Sequence, residues 1–169
     1  HGAVAVVTLR RPQKRNALHD ALVLGLEYVF THLPASTRAA VIAGEGDHFC
    51  AGLDLSALQE RTAMDGLYHS RMWHRAFNAI EKGNVPVVAA LHGAVVGGGM
   101  ALASSCHIRV ADETAFFAFP EGTRGIFVGG GVSVRAPKLI GEHRMLDMML
   151  TGRVYKAAEA VPIGFAQYL

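Results

Sequence analysis

The sequence lacks most of the features that announce a function. It has only two cysteines in 169 residues, Cys50 and Cys106, and no CxxC spacing. That argues against a disulfide framework and for reduced thiols in a cytoplasmic protein. The net charge is only +2, and no run of Lys and Arg forms a stripe. A nucleic-acid partner is therefore not expected. Polar residues or glycines interrupt every apolar run short of membrane-spanning length, so no membrane segment is expected. No signal-peptide pattern is visible. The chain opens at His1, directly before a strand-like stretch, so its first residues carry no information on targeting. Linkers, internal repeats and low-complexity tracts are missing too.

What is present is a hydrophobic chain, 51% apolar and 18% charged, long enough for one domain over residues 1–169 with a sizeable core. Residues 3–9 are valine-rich and read as a strand. Asn16 is placed to cap a helix running to about residue 33, with Leu18, Leu22, Leu26, Val29, Phe30 and Leu33 on one broad face. Residues 39–43 read as a short buried strand. Residues 67–82 read as a helix, with Trp73, Phe77 and Ile80 at helical spacing and Gly83 as its stop. Strands are expected at 85–91, 107–111 and 115–119, and helices at 130–139 and 142–150. Strands and helices alternate, which predicts an α/β fold.

The familiar catalytic signatures fail one by one. From Gly97, a G-x-G-x-x-G pattern would need glycine where Leu102 stands. Gly93 and Gly98 have phosphate-loop spacing, but Gly99 stands in place of the lysine. A G-x-S-x-G pattern from Gly131 ends in Arg135. There is no HExxH, and His69 and His74 are five apart on different helix faces, so no metal site is expected.

Two glycine turns remain. VVGGGMALASS (95–105) runs from a strand through three glycines into a helix. Such a turn either packs a helix tightly on a strand or offers free N–H groups, backed by the helix dipole, to a ligand oxygen. FCAGLDL (49–55) is a second small-residue turn after a strand, able to expose the N–H of Leu53. Two donors on one oxygen would make an oxyanion hole. Within the second turn, Asp54 reads most simply as a helix cap or first-turn acid.

Taken together, RRPQKRNAL (10–18), FCAGLDL (49–55), VPVVAALHGAVVGGGMALA (85–103), CHIRVADETAFFAFPEGTRGI (106–126) and the later LIG…MLDMMLTGRVYKAAEA (139–160) resemble the crotonase superfamily, the enoyl-CoA hydratases and isomerases. The resemblance spans essentially the whole chain. It implies a spiral of ββα turns that binds an acyl-CoA thioester, with coenzyme A entering as part of the substrate and no tightly bound cofactor. It also implies an oxyanion hole from the N–H groups of Leu53 and Gly98. The segment around Lys14, Arg15 and Ala17 is expected near the CoA phosphates, and Ala51, Asp54 and Leu55 near the adenine.

The resemblance also places two glutamates in hydratases. The first falls on Ala101 and the second on Glu121. Adding water across a double bond suits two carboxylates, one to activate water and one to deliver a proton to carbon. A single carboxylate suits a different task, moving a proton from C2 to C4 of a 3-enoyl thioester. Glu121 is thus expected to be the acid–base residue of a Δ3–Δ2 enoyl-CoA isomerase. The alternatives are a hydratase using Glu121 alone or with Glu60 or Asp65, and a non-catalytic acyl-CoA binder in which Glu121 pairs with Arg124 at the surface. A dienoyl-CoA isomerase would want acids at Ala101 and Gly129, and neither is acidic. His107 stands where the family usually has aspartate and reads as a packing or hydrogen-bonding variant. Family members continue into C-terminal helices that cover the acyl pocket and help build trimers or hexamers. Here the sequence stops at Leu169, so a more open site is expected, and the resemblance implies a homotrimer or hexamer.

Overall fold

The computed structural model describes residues 2–57 and 62–169. In chain order the strands are β1 (Val4–Leu9), β2 (Ala39–Gly44), β3 (Val87–Leu91), β4 (Ala94–Val96), β5 (Ile108–Ala111), β6 (Phe116–Ala118) and β7 (Val154–Lys156). The helices are α1 (Asp20–Thr31), α2 (Ala63–Glu81), α3 (Gly98–Ser105), α4 (Val132–Ile140), α5 (Glu142–Thr151) and α6 (Ala157–Ala160). β1, β2, β3 and β5 lie side by side, all parallel, in one sheet. β4 and β6 pair in parallel in a second sheet, which β7 closes in the antiparallel sense.

The two layers are built turn by turn. Isolated parallel bridges, Leu18 with Leu53 and Cys50 with Val95, carry the second layer back toward the N-terminus. Each turn therefore places one stretch in each layer: β1 and residue 18, then β2 and residues 50–53, then β3 and β4, then β5 and β6. A helix follows each pair. This is the expected ββα spiral. Short Val- and Ala-rich strands suit such a sheet, because parallel strands covered by helices carry apolar residues on both faces. Helix α1 buries Val23, Leu26 and Phe30, and α2 buries Trp73, Ala76, Phe77 and Ile80; each set is a single stripe at helical spacing.

Three expectations need correction. Asn16 does not cap α1. It sits in the left-handed region at φ 55°, where asparagine is tolerated. Its side chain accepts from Arg11 N (2.9 Å) and donates to Glu45 O (2.9 Å) and His48 O (2.7 Å). Residues 15–18 pair with 51–54, so the helix starts later and His19 caps it through Nδ1, 3.0 Å from Leu22 N. Helix α2 begins earlier than residue 67, because Thr62 caps it and accepts from Asp65 N. Strand β3 begins after Pro86, which has no N–H for the ladder but still accepts from Ala40 N through its carbonyl. No helix among the described residues is long and apolar enough to cross a membrane.

Arg109, on β5, is the largest fully buried side chain. It meets carbonyl oxygens rather than a carboxylate: Nε donates to Phe165 O at 2.6 Å and Nη1 to Cys106 O at 2.6 Å. It thereby ties the end of α3 to residues near the C-terminus. Arg109→Met should strand these carbonyls and lower stability by roughly 3 kcal/mol, at 1–3 kcal/mol for each buried group left unpaired. Urea denaturation checks this: the midpoint should fall with an unchanged slope.

Candidate active site

The chain leaves β4 at Val96 and turns at Gly97 before entering α3. Gly97 has φ 52° and ψ −112°, a conformation open to glycine and hostile to other residues. Its N–H donates to Ala118 O at 2.9 Å, which ties the turn to the end of β6. Every residue of α3 from Gly99 to Ser105 is buried, so the helix runs straight into the core with its N-terminus facing out. The N–H of Gly98, at that N-terminus, has no acceptor among the described residues.

The second turn comes alongside it. Gly52 has φ 94°. Gly52 O accepts from Leu18 N, and Asp54 N donates to Leu18 O. The alternation of a strand therefore turns the N–H of Leu53 to the opposite side, where it too has no acceptor among the described residues. The two turns nearly touch. A Cβ added at Gly98 would stand 3.3 Å from Leu53 N, and one added at Gly52 would stand 3.1 Å from Gly98 N. Two unpartnered donors thus lie side by side at a helix N-terminus.

These donors open into a cavity of about 270 Å³. Glu121, Ala101, Gly97, Trp73, His69 and Phe127 are among the residues that line it. A smaller cleft of about 80 Å³ shares Leu53, Gly97, Gly98 and Glu121 and adds Ala51 and Leu55. Two larger hollows, of about 510 and 470 Å³, lie elsewhere. One is at the end of α1 and the other is beside α5 and β7, and neither is lined by Leu53, Gly98 or Glu121. The chemistry, rather than volume, marks the smaller cavity as the candidate site.

Glu121 follows Pro120 at the end of the β6 strand run. Its carbonyl accepts from both Arg124 N and Ile126 N at 3.0 Å, so the turn closes on it. The residue is 9% exposed, and its Oε2 is buried with no hydrogen-bond partner. Among the described residues it forms no ion pair with Arg124. Burial pushes its carboxyl pKa above the ordinary 4.5, against a weaker downward pull from Arg124. A Cβ at Gly97 would come within 2.8 Å of Glu121 Oε1, so the carboxylate sits directly against the turn that carries Gly98.

Of the residues the resemblance assigns to coenzyme A, Ala51 and Leu55 line the cleft. Lys14 and Arg15 are exposed on a tight turn, and Ala17 is buried beside them. They run next to the second turn, with Ala51 N donating to Arg15 O at 2.9 Å, but line neither cavity. Asp54 also lines neither. As the cap reading anticipated, its Oδ1 accepts from Ser56 N (3.1 Å) and Ser56 Oγ (2.6 Å). Its Oδ2 pairs with Arg11 Nη2 at 2.9 Å. The Ser56 hydroxyl first, and then Arg11, hold its pKa at about 2 rather than 3.8. A depressed acid contributes stability that is fully present above its unfolded pKa and is lost as pH falls from about 4 to about 2. Asp54→Asn should therefore flatten the acid limb of a stability–pH curve over that window and leave the neutral region's slope unchanged.

The other sequence expectations fall into place around this site. Ala101 and Gly129 both line the cavity and offer nothing to titrate. Asp65 accepts from the Thr62 hydroxyl at an exposed helix start, and Glu60 lies outside the described residues. His107 is a hydrogen-bonding residue: its Nδ1 accepts from Val87 N at 3.0 Å. Arg135, which broke the G-x-S-x-G pattern, donates to Gly130 O (2.7 Å), Asn78 Oδ1 and Glu81 Oε2, and so ties the cavity wall to α2. Among the described residues no three His, Cys, Asp or Glu side chains converge as a metal site. Two features of the site escaped sequence reasoning, the backbone geometry of Gly97 and the placement of His69 in the cavity. The position of Gly97 directly after a strand was the available signal for the first.

A spiral of ββα turns carries paired backbone donors beside one buried glutamate. The enoyl-CoA hydratase/isomerase family model matches residues 1–168, and the chain belongs to that family, within the crotonase superfamily. It is 43% identical over 127 residues to the fatty acid oxidation complex subunit alpha of Shewanella amazonensis, covering 73% of this chain and 18% of that one. It is 37% identical to an enoyl-CoA isomerase/hydratase of Zymoseptoria tritici, covering 99% of this chain and 57% of that one. Among solved structures, one from Rhodopseudomonas palustris, assigned as an enoyl-CoA hydratase, superposes with a TM-score of 0.98 at 60% identity. That match covers all of this chain and 66% of the other. A Thermobifida fusca structure assigned to the same activity and solved with CoA gives a TM-score of 0.92 at 30% identity, covering 99% and 68%. The chain thus spans under a fifth of the Shewanella subunit and just over half of the fungal relative.

Proposed function

We propose that this site isomerises a 3-enoyl-CoA thioester to the 2-enoyl thioester, with Glu121 as its carboxylate base. The thioester oxygen accepts hydrogen bonds from Leu53 N–H and Gly98 N–H, where the start of α3 adds its dipole. Glu121 takes a proton from C2. The electron pair moves into a dienolate, whose charge collects on the oxygen between the two donors. Reprotonation at C4 completes the shift. The segment of Lys14, Arg15 and Ala17 lies toward the CoA phosphates, while Ala51, Asp54 and Leu55 form the side of the site nearest the adenine. The Thermobifida structures solved with CoA and with acetoacetyl-CoA support a CoA thioester as the substrate class.

One observation carries the choice of reaction. Of the described residues that line the cavity, Glu121 is the one carboxylate, and Ala101 stands where a second would act. Its raised pKa brings it toward the range of an effective base. A second reading, hydration of a 2-enoyl thioester, draws on the assignment of the Rhodopseudomonas structure at 60% identity. Parallel assays separate them. Isomerisation of 3-enoyl-CoA should exceed hydration of 2-enoyl-CoA by about 100-fold in kcat/KM, because Ala101 stands in place of the second carboxylate that hydration uses, and a positioned acid–base group is worth about 10²–10⁴.

A further inference from the structure

The cavity contains one more titratable side chain that the reaction above leaves idle. His69 lines the α2 wall, in a surface otherwise made largely of glycine and apolar residues. Its ring is held through Nε2. Nε2 lies 2.8 Å from Oδ1 of Asp20, the first residue of α1, and 3.2 Å from the indole nitrogen of Trp73. One nitrogen cannot serve both neighbours as acceptor and donor at once. Trp73 can only donate, whereas a carboxylate accepts, and the carboxylate is nearer. We assign the hydrogen to Nε2 on that basis. Nδ1 is then the free face of the ring, with no partner among the described residues. An imidazole pinned at one nitrogen by an acid, with its other nitrogen unpartnered beside a substrate-sized cavity, is arranged to carry a proton.

We infer that His69 is the second proton-transfer group of this cavity, the one that protonates C4. This rests on the isomerase reading above. Glu121 takes the C2 proton, and the C2–H electron pair enters the dienolate. The imidazolium form of His69 then gives its Nδ1 proton to C4, whose new C–H bond takes the electron pair at that end of the dienolate. Glu121 is left protonated and His69 neutral. Both reset through water, Glu121 releasing a proton and His69 gaining one, so none is consumed overall. The route for resetting is present, since the side chains of His69 and Asp20 are 21% and 48% exposed. Asp20 positions the ring.

The origin of the C4 hydrogen tests the assignment. A 3-enoyl-CoA carrying deuterium at C2 is converted in ordinary water, and the product is read by NMR at C4. The expected product has solvent hydrogen at C4 and no transferred deuterium. His69→Gln should lower kcat by about 100-fold with KM little changed. Asp20→Asn should lower kcat in the same direction by less. Deuterium at C4 in the wild-type product, or a His69→Gln protein with wild-type kcat, overturns the inference. If His69→Gln does not fold, the wild-type label pattern and Asp20→Asn decide between the two outcomes. Glu121→Gln in the same assay keeps the two readings apart: retained isomerisation there would end the assignment of Glu121 as the C2 base, whatever His69 does.

Discussion

Glu121→Gln is expected to lower kcat/KM for 3-enoyl-CoA isomerisation by about 10³-fold, within the 10²–10⁴ range for loss of a positioned acid–base group. Glutamine matches the shape of glutamate but cannot accept the C2 proton. The substitution should not cost stability. The folded pKa of Glu121 is raised above 4.5 by burial, so its ionised form is disfavoured in the native state. The sign follows directly. The penalty is absent below 4.5, grows as pH rises through the folded pKa, and is fully present above it. The wild type should therefore lose some stability across that rise, and Glu121→Gln should not. A chemical denaturation series against pH, set beside the rate assay, reads both effects. The wild-type rate should rise with pH along a limb centred above 4.5 that the variant lacks.

The second large effect belongs to Gly97→Ala. At φ 52° and ψ −112° a Cβ is strained, at a cost of about 1–3 kcal/mol. For a chain of this size that is a fall in Tm of roughly 2–10 °C. The added methyl would also stand 2.8 Å from Glu121 Oε1, so the carboxylate must move. Displacing a catalytic group by about 1 Å can cost about 100-fold in rate. Gly97→Ala should therefore lose activity out of proportion to its stability. Gly25→Ala is the matching control. It lies within α1 with nothing within 4 Å of the new Cβ, and should gain about 0.5–1 kcal/mol with unchanged kcat.

Much of this was legible in the sequence because the relevant signals are local. The stripe Trp73, Phe77 and Ile80 predicts α2, and the valine-rich runs predict β1 and β3 within one or two residues. Asn16 misled because a cap residue and a left-handed asparagine look alike in one dimension. Only its contacts with Glu45 and His48, some 30 positions away, distinguish them. Strand β7 was invisible for a similar reason. Three residues carry no period, and Val154–Lys156 is a strand only because β6 is there to pair with it. At the site, FCAGLDL and VVGGGM each suggest one exposed N–H, but their proximity depends on the Cys50–Val95 bridge. The pairing of His69 with Asp20 spans 49 positions and two helices, beyond the reach of any local pattern.

The most direct test of the account compares two thioesters with one enzyme. Equal concentrations of a 3-enoyl-CoA and its 2-enoyl isomer are offered separately to the wild-type protein, and the products are separated and quantified. Rapid conversion of the 3-enoyl thioester to the 2-enoyl product is expected, with little 3-hydroxyacyl thioester from either. Rapid formation of the 3-hydroxyacyl thioester, persisting in Glu121→Gln, would contradict it.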